Sequence, residues 1–166
     1  FTAVTTQEIW KDHPEKVLGT TLEFTKQYPN TTRAMMAAVL EASKYIDAKA
    51  NRVKVAQIIA SKSYVNAPEE VILGRFLGNY DNGHGKSWKD TNYMKFYSDG
   101  YVNFPYLSDG MWFLTQHKRW GLLKEDPDYL AVATKVNQIE IFKQAAAMTK
   151  TPVPKDPLRS AKLIDG

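Results

Sequence analysis

The sequence predicts the helix-rich back half of an α/β lobe, and three observations predict it. About seven segments carry helical periodicity. A short apolar run, Val17-Leu18-Gly19, reads as a buried strand whose partner the rest of the chain does not supply. No repeat or low-complexity tract points to a bundle or a solenoid.

Composition sets the outer limits. With 166 residues, 43% of them hydrophobic, the chain can bury one core of ordinary size, as one domain or one lobe of a larger protein. The longest apolar run, Ala34 to Leu40, falls far short of the roughly 18 residues of a membrane span. The absence of cysteine excludes disulfide stapling and thiolate metal sites. The net charge of +4 is interleaved, with Lys118 and Arg119 followed by Glu125 and Asp126, whereas nucleic-acid binding requires a one-sided basic stripe. The chain opens at Phe1 without an initiator methionine or a charged-then-apolar leader, so it is expected to be a fragment or processed product whose targeting segment lies elsewhere.

The elements follow in order. Thr5 or Thr6 caps a short helix through Trp10, and Pro14 disfavours helical geometry at His13, ending it near Asp12. After the strand at Val17 to Gly19, the Thr21–Tyr28 stretch reads as a short helix stopped by Pro29. Asn30 caps a longer one, about Thr31 to Asp47, apolar around most of its circumference and therefore expected to be largely buried. Asn51 caps another, with Val55, Ile58 and Ile59 on one face. Asn66 and Glu69 have capping-box spacing before a third. From Gly78 to Asp90 the glycine- and asparagine-rich GNYDNGHGKSWKD has no apolar period and reads as a loop. Tyr93 to Phe104 alternates aromatic and polar residues around Ser98-Asp99-Gly100, as a small hairpin or an extended excursion would. Ser108 and Asp109 open an aromatic helix ended by Gly121, Asp126-Pro127 opens the next, and Asn137 with Glu140 caps a last one to about Met148. The tail 151–166, with Pro152, Pro154 and Pro157, is expected to run extended over a surface.

Most catalytic and binding motifs fail when tested. GHGKS, Gly83 to Ser87, lacks the glycine a phosphate loop needs at Tyr80. Asp81-Asn82-Gly83 is too short for a calcium loop. His13, His84 and His117 share no metal-ligand spacing, and no Gly-x-Ser-x-Gly elbow is present. Asn30-Thr31-Thr32 matches a glycosylation sequon, but Asn30 is better read as a cap. Trp112, Phe113 and Trp120, with Tyr106 nearby, could form a stacking shelf but read as core packing. No catalytic residues and no cofactor are expected. Lys16 is the remaining candidate: it lies between a proline-terminated helix and an apolar run, where a cation could seat a small anion, or it is a plain surface charge beside Glu15.

At this point a resemblance covers nearly the whole chain in collinear order. FTAVTTQEIWKDHPEKVLGTT, YPNTTRAMMAAVLEASKYID, YVNAPEEVILGRFLGNYDNGHGK, MKFY, FPYLSDGMWFLTQHKRWGLL, VNQIEIFKQAA and the terminal KTPVPKDPLRSAKLIDG are similar to the C-terminal part of the nitrate- and bicarbonate-binding proteins of cyanobacterial-type ABC importers. The resemblance implies an α/β fold of the periplasmic-binding-protein type II, two lobes closing over a ligand, of which residues 1–166 are a partial solute-binding domain lacking the N-terminal lobe. It implies no enzyme activity, capture of nitrate or nitrite in the cleft, and delivery to an inner-membrane ABC transporter permease. It further implies a periplasmic lipoprotein anchored at that membrane, with upstream residues of the same protein completing the site. Lys16 matches the anion-contacting lysine of the family's HPEK segment. The bicarbonate-binding relatives have an acidic neighbourhood and a calcium ion there, so Lys16 favours nitrate or nitrite.

Four other readings stay open beside it: a bicarbonate-binding paralogue, a nitrate-sensing domain fused behind a transporter ATPase, a cofactor-biosynthesis enzyme on the same fold, and a helical interaction module. The enzyme would need His or Cys at the cleft, and only His13 lies near Lys16.

Overall fold

A computed structural model describes residues 1–162. The described residues divide into two compact units, one of residues 14–41 and 99–161, the other of residues 1–13, 42–98 and 162. The elements are α1 (Thr6–Ile9), α2 (Leu22–Gln27), α3 (Pro29–Asp47), a 3-10 turn (Lys49–Asn51), α4 (Arg52–Ala60), α5 (Glu69–Phe76), β1 (Asn79–Asp81), β2 (Ser87–Lys89), α6 (Leu107–Arg119), α7 (Tyr129–Val136) and α8 (Ile139–Thr149).

In the unit of residues 14–41 and 99–161, the first half of α3 contributes Ala37 and Leu40 to a core with Phe104, Tyr106, Phe142, Ala145 and Ala146. Phe104 meets Phe142 edge-on at 5.3 Å and Tyr106 at 4.8 Å between ring centroids, and the two alanines of α8 leave room for these rings. Burying Phe142 contributes on the order of 1.5–3 kcal/mol. Gly121 ends α6 in the left-handed region, φ +74, where Leu122 N donates to His117 O and Gly121 N to Lys118 O; this is the Schellman pattern that favours glycine. Gly100, φ +86, has no room for a side chain, because a Cβ would fall 2.6 Å from Thr151 Cγ2. The segment 151–162 contains neither helix nor strand. It is held to α6 by Leu107 N donating to Pro157 O, Arg159 N donating to Ser108 Oγ, and the Arg159 guanidinium gripping both oxygens of Asp109 at 2.9 and 2.7 Å. Residues 163–166 of the expected tail lie outside the described residues.

In the other unit, Val55, Ala56, Ile72 and Phe76 from α4 and α5 form the core, with Phe96 edge-on to Phe76 at 5.4 Å. Asp47, the last residue of α3, ties this unit together. Its carboxylate accepts from the consecutive amides of Phe96, Tyr97 and Ser98 at 2.8, 2.9 and 2.7 Å and from Arg52 Nη2 at 3.0 Å. Arg52, 4% exposed, also donates to Phe76 O and Met94 O and lies over the Tyr93 ring at 4.9 Å. One buried ion pair therefore joins α3, α4, the end of α5 and the 93–98 segment. A short clamp closes α1: Asp12 accepts from Gln7 Nε2 at 2.6 Å and Lys95 Nζ at 2.9 Å.

Several expectations require correction. Val17 to Gly19 forms no strand; Val17 is 83% exposed and residues 13–21 carry no regular structure, because a strand exists only when a neighbour completes its ladder. Helix α3 is not largely buried: Thr32, Ala37, Leu40 and Ser43 are covered, while Met35 and Val39 remain 46% and 41% exposed. The hairpin lies in the stretch read as a loop, with β1 and β2 antiparallel and Tyr80 opposite Trp88, whereas 93–104 contains no strand and turns at 98–103. The loop 82–86 explains the displacement: Asp81 accepts from Gly83 N and Ser87 Oγ, and Asn82 from His84 N and Lys86 N, so the Asp-Asn-Gly signal marks a hairpin loop rather than an end to pairing. Of the expected caps, Thr5 forms a capping box with Glu8; Thr21, expected as the first residue of its helix, is the cap of α2. Asn30 instead lies inside α3 bonded to Arg33, Asn51 donates to Tyr45 O without capping α4, Pro68 precedes α5, and Asn137 donates to Tyr106 O at the end of α7. For Asn51 and Asn137, a backbone carbonyl outside the helix start takes the side-chain amide in place of a local cap.

Two outcomes follow. Asp47→Ala strands the Arg52 charge and three amides together, so it is expected to cost about 3–5 kcal/mol in urea unfolding, and Asp47→Asn less. The bonds from Ser87 and Gly83 hold the Asp81 carboxyl below its ordinary value of 3.8. Its contribution to hairpin stability is therefore present above that value and lost as pH falls through the lower folded value. A carbon-13 titration should find the Asp81 midpoint below 3.8 and Ser87→Ala should raise it.

Candidate functional site

Lys16 lies in the extended stretch 14–20, between the proline that ends the preceding turn and Thr21, the cap of α2. The stretch has almost no cover: Val17 and Leu18 are exposed, and the Lys16 and Glu15 side chains are 92% and 70% exposed. Glu15, 3.6 Å away, is the one charged partner of Lys16 among the described residues. A surface pair of this kind contributes about 0–1 kcal/mol and fixes neither side chain.

The same physics limits what Lys16 can do here. One ammonium 4 Å from a monovalent anion in water gains about 1 kcal/mol, roughly a fivefold preference. A site for a small anion needs water excluded and several donors converging on it. The structure places Lys16 where such a site could be built against it, and brings no second donor to it among the described residues.

The other sequence candidates resolve into structural roles. His13 Nε2 lies 2.6 Å from Thr6 Oγ1, His117 Nδ1 2.7 Å from Phe113 O, and His84 sits in the 82–86 loop. Among the described residues no three His, Asp or Glu gather as metal ligands. Tyr106 is core, as expected. Trp120 is not: it is 73% exposed at the end of α6, covered on one face by Arg119 at 5.6 Å.

A shallow depression of about 480 Å³ lies on the hairpin, lined by residues that include Arg75, Tyr80, Asp81, Trp88 and Lys89. Tyr80 and Trp88 stack at 5.6 Å, Arg75 covers Tyr80 and Lys86 covers Trp88, each at 5.4 Å. These faces are already occupied, and burial together with Asp90 pushes the Tyr80 phenol up, away from any acid-base role near neutrality. The group is a cross-strand pair stabilising two short strands, and sequence reasoning missed it by reading this stretch as a loop.

Comparison with known proteins adds what geometry cannot. Residues 1–60 match the NMT1-like family. The nitrate/nitrite binding protein NrtA of Synechocystis sp. strain PCC 6803 is 34% identical over 100% of this chain, which spans 38% of that relative's length. The crystal structure of that periplasmic nitrate-binding protein superposes with a TM-score of 0.93 over 99% of this chain and 44% of its own. The nitrate import ATP-binding protein NrtC of the same organism is 31% identical over 100% of this chain and 25% of its own length. The bicarbonate-binding protein CmpA of Synechococcus elongatus strain PCC 7942 is 27% identical over 98% of this chain and 38% of its own. Sequence and fold therefore agree along nearly the whole chain, which is similar to NrtA and shares the helix-rich α/β fold of a part of that solved structure, spanning 38% of the relative's sequence and 44% of its solved chain.

Proposed function

We propose that this chain is part of the solute-binding component of an ABC importer that captures nitrate or nitrite between two lobes and hands it to a membrane permease, with Lys16 as the cation that contacts the anion. The observation that carries the reading is a lysine at position 16, fully hydrated and unengaged except by Glu15, in a chain 34% identical to NrtA and 27% identical to CmpA. An anion moved from water into a closed cleft loses several kcal/mol of solvation unless charge and donors replace it. An ammonium supplies both, whereas a glutamate would repel the anion unless a metal intervened. On this reading the protein does no chemistry on its ligand, works in the periplasm anchored as a lipoprotein, and completes its pocket from the remaining polypeptide.

A second reading, a nitrate-sensing domain carried behind a transporter ATPase, is supported by the similarity to NrtC over 100% of this chain and 25% of that relative. A Walker phosphate loop in the native polypeptide would favour it; a lipoprotein signal would favour the importer component.

Calorimetry on the complete two-lobed protein tests the role of Lys16. Removing a charged hydrogen bond of about 1.5–3 kcal/mol should weaken nitrate binding roughly 10- to 150-fold in Lys16→Glu, and unchanged affinity would refute the assignment. The 166-residue chain alone should show no nitrate binding tighter than about 10 mM, given the weak attraction of one hydrated ammonium; micromolar binding would mean that the other donors are already in this chain.

A further inference from the structure

The loop of the β1–β2 hairpin holds more than turn formation requires. Near its tip, Asn82 is followed by Gly83, which is exposed and lies in the left-handed region, φ +73. Several groups converge on this one peptide unit. The Gly83 amide donates to Asp81 Oδ1 at 2.7 Å. The Asn82 side-chain oxygen accepts from two backbone amides, His84 N at 2.9 Å and Lys86 N at 3.1 Å. Ser87 Oγ fixes the other Asp81 oxygen at 2.8 Å.

These contacts match the parts of an acyl-transfer site. A carboxylate within hydrogen-bond reach of an N–H is placed to take its proton. Two N–H donors on one carbonyl oxygen are placed to hold the negative charge that develops there when its carbon is attacked. The carbon, Asn82 Cγ, and the Gly83 nitrogen belong to adjoining residues, so their encounter needs bond rotation and no diffusion. Glycine has no Cβ to crowd that approach.

We propose that Asn82-Gly83 is a self-modification site where the chain converts its own asparagine, with Asp81 as base and the His84 and Lys86 amides as oxyanion donors. The Gly83 nitrogen loses its proton to Asp81 and forms a bond to Asn82 Cγ, while an electron pair of the Cγ=O bond moves onto Oδ1. When that carbonyl re-forms, the Cγ–Nδ2 bond breaks, and Nδ2 takes the proton back from Asp81 and leaves as ammonia. The product is a cyclic succinimide. Water adds to either of its carbonyls and opens the ring to aspartate or isoaspartate, so asparagine and water become acid and ammonia with no redox change. Asp81 is in the form that the first step needs. The bonds from Ser87 and Gly83 keep it ionised at neutral pH, with the Phe1 amine and Arg75 as the nearby positive charges and His84 in the loop itself. Either product sets a second carboxylate beside Asp81, and isoaspartate also lengthens the backbone between Tyr80 and Trp88, so conversion loosens the hairpin. The inference is independent of the proposed function.

Peptide mapping by mass spectrometry, on the complete native protein aged at neutral pH, is the direct test. The quantity followed is loss of the Asn82 amide, counted as succinimide, aspartate and isoaspartate together, with Asn82→Gln as the blank. Loss in the folded protein should run at least as fast as in the same protein unfolded in urea. Slower loss in the folded form overturns the proposal, because the loop would then be shielding the amide. Uncatalysed ring closure follows hydroxide concentration, whereas Asp81 as base makes the folded rate nearly independent of pH across the neutral range; a rate that climbs with hydroxide overturns the role of Asp81. The Asp81→Asn variant should lose the amide about 10-fold more slowly or slower still, and an unchanged rate overturns that role as well. Should Asp81→Asn unfold the hairpin, the pH profile of the unsubstituted protein decides alone.

Discussion

The unit built from α4, α5 and the hairpin depends on one carboxylate. Asp47 stands at the C-terminal end of α3, where the helix dipole disfavours an acid, yet three consecutive amides and Arg52 converge on it. A loop with no helix or strand of its own, 93–98, is thereby given a fixed path. The arginine in turn caps the carbonyl of Phe76 at the end of α5. Removing water from an ion pair is costly, and here the cost is offset by the number of backbone groups that the pair satisfies. The organisation of this unit is thus electrostatic and local, with the Val55–Phe76 cluster packed beside it.

The unit of residues 14–41 and 99–161 is organised differently, by aromatic edges meeting α8's alanines and by a tail strapped to α6 through Arg159 and Asp109. Its satisfaction is uneven. The Phe104–Phe142 core is closed, while 17–20 and one stripe of α3 remain open. That asymmetry bears directly on function, because the candidate ligand residue sits in the open part. A lysine in water is a charge without an address: it becomes a binding group only when something excludes solvent and sets its direction. On the proposed reading, anion capture would therefore need more around Lys16 than this one hydrated charge.

Much of the fold was legible because it follows from short-range chemistry. Thr5 and Gly121 each act within a few residues, and the structure has the one capping α1 and the other ending α6. The hairpin was misplaced because period and composition could not reveal that Asp81 and Asn82 fold their side chains back onto the loop amides. Asn51 and Asn137 were read as caps because cap preference is local, yet distant carbonyls took their amides. Asp47 left a signal that was not used, an acid on the wrong end of a helix. As for the site, Lys16 stood out only as an oddly placed charge, and its ligand entered through relatedness rather than through any pattern in the residues.

By itself the sequence determined the resemblance, the order of the helices, the lack of thiol chemistry and the single lysine worth testing, since all of these reside in residue identity and near-neighbour spacing. The tertiary structure alone decided which apolar residues are core and which are not. Val17 and Leu40 are both hydrophobic, but Leu40 is 1% exposed and Val17 is 83% exposed. Burial is a property of what lies opposite a side chain, and no residue carries that information in its own identity.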